Sequence, residues 1–261
     1  MKNKRIYICE DSIESIFTAI YDAWESRYGH DNIRLDMKTN SELGYSMELF
    51  SDYIYVISDE EKATKVARSI QQKISNEAYN MVCNGICSDS IYKADIIYRF
   101  LIQGFSIGRN VINHLTNDAV MNLLDLDRKF NRERHHFLGF VRFLETKNHI
   151  LVAKIKPCND IIRSIAEHFA NRLSNEDFII YDEGRSTAII HRSGYGYIYI
   201  KTEEVDIKKL METTEEEEDY VLLWKTFFDS IAIKERKNYN LQRNNLPKKY
   251  RNNMTEFLRS N

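Results

Sequence analysis

The feature that most constrains this chain is a change of period near residue 137. Through residues 75–136 the apolar residues recur at three- and four-residue steps. Examples are Ile96, Ile97, Phe100 and Leu101, then Val120, Leu123, Leu124 and Phe130. That spacing predicts amphipathic helices, over 76–87, 91–103, 107–115 and 117–136. From 138 onward apolar and polar residues come in short β-branched and aromatic runs: 138–145, 150–156, 178–181, 187–191 and 195–201. These predict strands, the first two joined as a hairpin through residues 146–149. Asn159 or Asp160 is placed to cap an intervening helix that reaches Leu173, and a further helix is expected over about 215–233.

The N-terminal quarter alternates elements instead. Residues 5–10 read as a strand, and Asp11 or Ser12 caps a helix carrying Ile13, Ile16, Phe17, Ile20, Tyr21 and Trp24. Short strands follow at 33–37 and 52–57, and Ser58 is placed to cap a helix after them. The expected class is α+β: an N-terminal α/β unit over 1–75, a helical middle layer, and a C-terminal mainly antiparallel sheet with covering helices. The second part, 76–261, carries a basic C-terminal tail, and the boundary near 76 is soft enough that the two parts could form one domain.

Where the period changes, residues 128–143 read RKFNRERHHFLGFVRF. Arg128, Lys129, Arg132, Arg134 and Arg142 stand against the single acid Glu133, among four phenylalanines. On a helix ending near 136, Arg128, Arg132, His135 and His136 share a broad face, and a following strand could bring Arg142 to it. Converging guanidinium groups suit phosphate or another anion. The plainer alternative is that the arginines pair with carboxylates such as Glu133 or Glu145. Adjacent histidines on a helix point about 100° apart, so one of them at most serves a given site. Farther on, His168 and Arg172 are four apart and share a helical face.

The net charge of −2 hides an asymmetry: nine acids crowd residues 203–219 and nine Lys or Arg residues 225–259. Such a distribution permits a basic face toward nucleic acid, or a solvated surface with no partner. Four scattered cysteines and no apolar run of membrane-spanning length predict a soluble, cytoplasmic chain with reduced thiols and no membrane partner. Cys83 and Cys87 are followed by Ser90 where a three-cysteine iron–sulfur loop needs a third thiol. His135, His168, Asp182, Glu183 and His191 lack metal-ligand spacing, so neither a metal nor a cofactor is expected. The phosphate-loop, dinucleotide-binding and nucleophile-elbow motifs are absent.

Several blocks resemble a bacterial family described as DNA repair or DNA metabolism proteins. They are Glu133, His135 and the run Gly139–Phe140–Val141–Arg142–Phe143; Pro157; His168–Phe169 with Arg172; DFIIYDEGR from Asp177; and LWKTFFDSIAIKERKNYNLQRNNLPKKY, which ends at Tyr250. Members are encoded beside a radical S-adenosylmethionine protein similar to spore photoproduct lyase, and the domain also occurs fused to uracil-DNA glycosylase-like domains. The family pattern has a tryptophan after the Lys–Tyr pair, where this chain has Arg251. The resemblance implies DNA and a radical S-adenosylmethionine protein as partners. Three functions are then open. In the first, a DNA-binding accessory protein contacts phosphate through Arg128, Arg132, His135, Arg142, Arg172, Arg236, Lys248 and Lys249, with Tyr195, Tyr197 and Tyr239 stacking on bases. In the second, a hydrolase or lyase acts on damaged DNA or nucleotides with His135 and His168 as acid–base groups. In the third, the acidic segment 203–219 docks a basic protein.

Overall fold

The computed structural model describes residues 3–38, 48–147, 149–201 and 245–254. The chain divides into two compact units, 1–132 and 133–261. The soft boundary near 76 falls inside the first unit, between two helices that pack on each other.

In the first unit, β1 (Lys4–Cys9) is the centre of a parallel sheet of order β2-β1-β3, with β2 at Ile33–Met37 and β3 at Ser51–Tyr55. Ile6, Ile8 and Cys9 are buried, as expected for a central parallel strand covered on both faces. Helix α1 (Ile13–Glu25) is capped by Ser12, whose hydroxyl accepts the Ser15 amide at 3.1 Å. Helix α2 (Glu60–Lys73) is capped by Asp59, one residue past the expected Ser58, because the Asp59 carboxylate accepts the Lys62 amide at 3.0 Å. Helices α3 (Asn76–Ile86) and α4 (Lys93–Ile107) follow, with α4 packed against β2. Gly104, just past the expected helix end at 103, lies inside α4. A Cβ there would stand 2.6 Å from Ile74 Cδ1, so the missing side chain makes room for Ile74. The expected helix over 107–115 is instead a 3-10 turn at Gly108–Asn113.

Helix α5 (Asp118–Phe140) crosses the division between the units. It continues past 136, so the predicted strand from 138 is corrected. The Val141 amide still donates to Phe137 O at 3.1 Å, and pairing with the next strand is confined to β4 (Leu144–Glu145). The second unit holds a five-stranded sheet of order β4-β5-β6-β7-β8. Its remaining strands are β5 (Leu151–Ile155), β6 (Phe178–Asp182), β7 (Thr187–Arg192) and β8 (Gly196–Lys201). All neighbours are antiparallel except β5 and β6, which run parallel with α6 (Ile162–Arg172) between them in sequence. The architecture is α+β. The expected helix over 215–233 and the acidic segment 203–219 lie outside the described residues.

Candidate nucleic-acid interface

The end of α5 is organised by its one acid. Glu133 is 3% exposed. Its carboxylate accepts the amides of Cys158 at 3.1 Å and Asn159 at 2.8 Å, the Asn159 side-chain amide at 2.5 Å, and the Lys249 ammonium at 3.1 Å. Burial alone would raise its pKa, but the two backbone amides and the ammonium outweigh burial and hold it below the usual glutamate range. Burial likewise opposes the charge on Lys249, and the bond to Glu133 outweighs it and holds the lysine above its usual range. Asn159 therefore serves Glu133 and is not the cap of α6, which begins at Ile162 without a side-chain cap.

The loop after β5 is gripped from its other side as well. Arg185 donates to Pro157 O at 3.1 Å, to Cys158 O, and to Asp182 at 3.3 Å. Asp182 is fully buried, and burial pushes its pKa up against the opposing pull of Arg185 and the Gly184 amide. Tyr250 follows Lys249 on a 3-10 helix (Lys248–Asn253) and is packed by the aromatic end of α5. Its ring lies edge-on to His136 at 4.9 Å and Phe137 at 5.3 Å, and tilted to Phe140 at 5.7 Å. This packing explains why α5 continues to Phe140. Blocks far apart in sequence, around Glu133, Pro157 and Lys249–Tyr250, thus form one structural knot.

The expected cations are distributed differently. His135 is exposed on α5, and Arg128 and Arg132 are exposed on the part of α5 that belongs to the first unit. Arg142 lies in the irregular stretch 141–143, not on a strand, and folds back to donate to Gly139 O at 2.9 Å and Val141 O at 3.3 Å. The carboxylates weighed as its counter-ions have other partners: Lys249 for Glu133, and His149 for Glu145 at 2.7 Å. His168 and Arg172 do share α6, both exposed. Lys248 is exposed, whereas Arg236 and Tyr239 lie outside the described residues. His191 belongs to the sheet interior, stacked on Phe178 at 4.7 Å, and Glu183 pairs with Lys154 at 2.7 Å.

The structure also builds a surface that the arginine-rich stretch did not point to. Helix α6 packs on β7 and β8. On β8, Tyr197 and Tyr199 sit opposite the buried His191 and Ile189 and therefore share their side of the sheet. The Arg163 guanidinium lies 3.9 Å over the Tyr199 ring, and Arg192 lies 4.9 Å over Tyr195. Tyr195 is 81% exposed and Tyr197 44%. Tyr195 and Tyr197 were legible as stacking candidates; Tyr199 and its partner Arg163 were not, because that pair spans α6 and β8.

A family model described as a domain of unknown function, DUF4130, matches residues 92–256, well over half of the chain. The chain belongs to the DUF4130 family. The DUF4130 match takes in α4, α5 and every described element of the second unit, including the Glu133 knot and the arginine–tyrosine surface. The parallel sheet of the first unit lies before it. No curated protein matches the chain. Among the described residues, no helix is long and apolar enough to cross a membrane.

Proposed function

We propose that this DUF4130 protein binds DNA containing unpaired bases, through the α6–β8 surface, as an accessory to a radical S-adenosylmethionine protein in DNA repair. The observation that carries the binding is the pair of exposed tyrosines, Tyr195 and Tyr197, with Arg192 over Tyr195 and Arg163 over Tyr199 on the same strand as Tyr197. Every base has a π-face, so exposed aromatic rings hold single strands with little regard to sequence, while nearby guanidinium groups meet the phosphates. The accessory role rests on the family resemblance, and co-purification with a protein similar to spore photoproduct lyase tests it.

Fluorescence anisotropy with labelled oligothymidine and with duplex DNA measures the binding itself. The single strand should bind more tightly, and affinity should fall steeply between about 50 and 200 mM salt. Tyr195→Ala with Tyr197→Ala should weaken single-strand binding by about tenfold or more. Failure of both DNAs to bind at low salt, or full affinity in the double variant, would overturn the reading.

A further inference from the structure

The first unit contains a cavity of about 310 Å³ whose lining belongs to neither the Glu133 knot nor the α6–β8 surface. We infer that this cavity between α1, α2 and α4 is a binding site for a nucleoside monophosphate, either free or as one nucleotide of a strand. Its floor is apolar, formed by Ile20 and Val66, both nearly inaccessible. Its walls are aromatic: Tyr21 and Trp24 from α1, and Phe105 from α4. Trp24 is held in place by its neighbours, with its ring edge-on to Tyr98 at 5.2 Å and to Phe105 at 5.5 Å, and tilted to His30 at 4.8 Å. A fixed aromatic wall costs little ordering when a planar ring enters.

The polar side of the cavity comes from one stripe of α2. Lys65, Ser69 and Lys73 are four residues apart in turn and line it together. Among the described residues, no carboxylate lines the cavity. The nearby Lys62 is bound to Asp22 at 2.7 Å, but Lys65 and Lys73 have no ion-pair partner among the described residues. Lys65 Nζ stands 5.8 Å from the Tyr21 ring centre, so charge and ring face the same space.

Each half of this lining excludes a simpler ligand. Two ammonium groups and a hydroxyl suit a phosphate, but inorganic phosphate would leave the aromatic walls unused. The walls suit a planar base, but an uncharged nucleoside would leave the lysines unused. The volume is at the small end for ligand sites, enough for one base with its phosphate.

Two measurements test the assignment. The chain has two tryptophans, so Trp224→Phe leaves Trp24 as the sole reporter of the cavity. In that background AMP should quench Trp24 saturably. In calorimetry on the full chain, adenosine and ribose 5-phosphate should each bind at least about tenfold more weakly than AMP. Lys65→Ala with Lys73→Ala should weaken AMP by a similar factor, with an unchanged circular dichroism spectrum confirming the fold. The Tyr195→Ala, Tyr197→Ala variant should bind AMP normally, which separates this site from the DNA-binding surface. Oligothymidine added to AMP-saturated protein distinguishes the sources: displacement of AMP assigns the site to a strand, and retention assigns it to the free nucleotide. The inference is overturned if AMP neither quenches Trp24 nor gives heat up to roughly 10 mM. It is equally overturned if adenosine equals AMP or the double lysine variant binds unchanged.

Discussion

Glu133 shows how a buried charge becomes a structural asset. An isolated carboxylate in this position would be costly, and four donors convert it into the fastening of a loop and a tail. Glu133→Ala leaves the Cys158 and Asn159 amides without their acceptor and should destabilise the second unit by about 3 kcal/mol in urea unfolding. Glu133→Gln retains an acceptor oxygen and should cost less. The pH dependence follows from the directions of the shifts. The folded pKa of Glu133 is depressed, so its contribution is present above the ordinary value of about 4.3 and is lost as pH falls through the folded value. Lys249 is raised, so its contribution is present below about 10.4 and is lost as pH rises through its folded value. The gap in unfolding free energy between wild type and Glu133→Gln should therefore be flat around neutrality and shrink in acid. A constant gap down to strongly acidic pH would contradict this account. By its neighbours in sequence Glu133 stood out as the single acid among cations, a possible partner for arginine. Nothing local marks a lysine 116 positions downstream as its partner.

At the scale of elements, the strongly periodic segments were legible and their ends were not. Strand β1, the start of helix α1 and strands β6 to β8 lie within a residue or two of their expected positions. The end of α5 was misplaced because Leu138–Phe143 is apolar enough to read as a strand. The competing influence is tertiary: His136, Phe137 and Phe140 enclose Tyr250 only if the helix continues. Gly104 was misread for a related reason. Like Gly85, which lies inside a helix as expected, it is a point of close approach and not a break. A Cβ on Gly85 would stand 2.7 Å from Leu123 Cδ1 in a fully buried setting. Gly85→Val should thus force α3 and α5 apart and lower stability by about 2 kcal/mol, despite the better helix propensity of valine. Thermal unfolding checks this; a variant as stable as wild type would mean that Leu123 can rotate away freely.

At the scale of the whole molecule, the α+β class was legible from the change of period, and the presence of two sheets from the alternating N-terminal elements. The parallel pairing of β5 with β6 was not, because a mainly antiparallel sheet was the simplest reading of successive strands. A helix between two strands supplies the crossover that a parallel pair requires, and α6 does so. The C-terminal stretch was legible as basic; among its described residues Tyr250 and Met254 are buried, at 7% and 3% exposure. Ending the chain after Leu246 should loosen the loop at 157–160 and the last turn of α5. Peptide-resolved hydrogen exchange should show faster exchange there while β1 and α1 stay protected. Unchanged protection at Cys158 and Asn159 would show that Lys249 and Tyr250 are dispensable.

The long reach of the bond between Lys249 and Glu133 bears on how the polypeptide is made. During synthesis α5 and the Cys158 loop leave the ribosome well before the lysine that completes their carboxylate cluster. Until then the Glu133 charge lacks its ammonium partner, and the hollow between His136, Phe137 and Phe140 lacks its tyrosine. The second unit can reach its final packing only once Lys249 and Tyr250 have emerged, whereas the parallel sheet of the first unit can close much earlier.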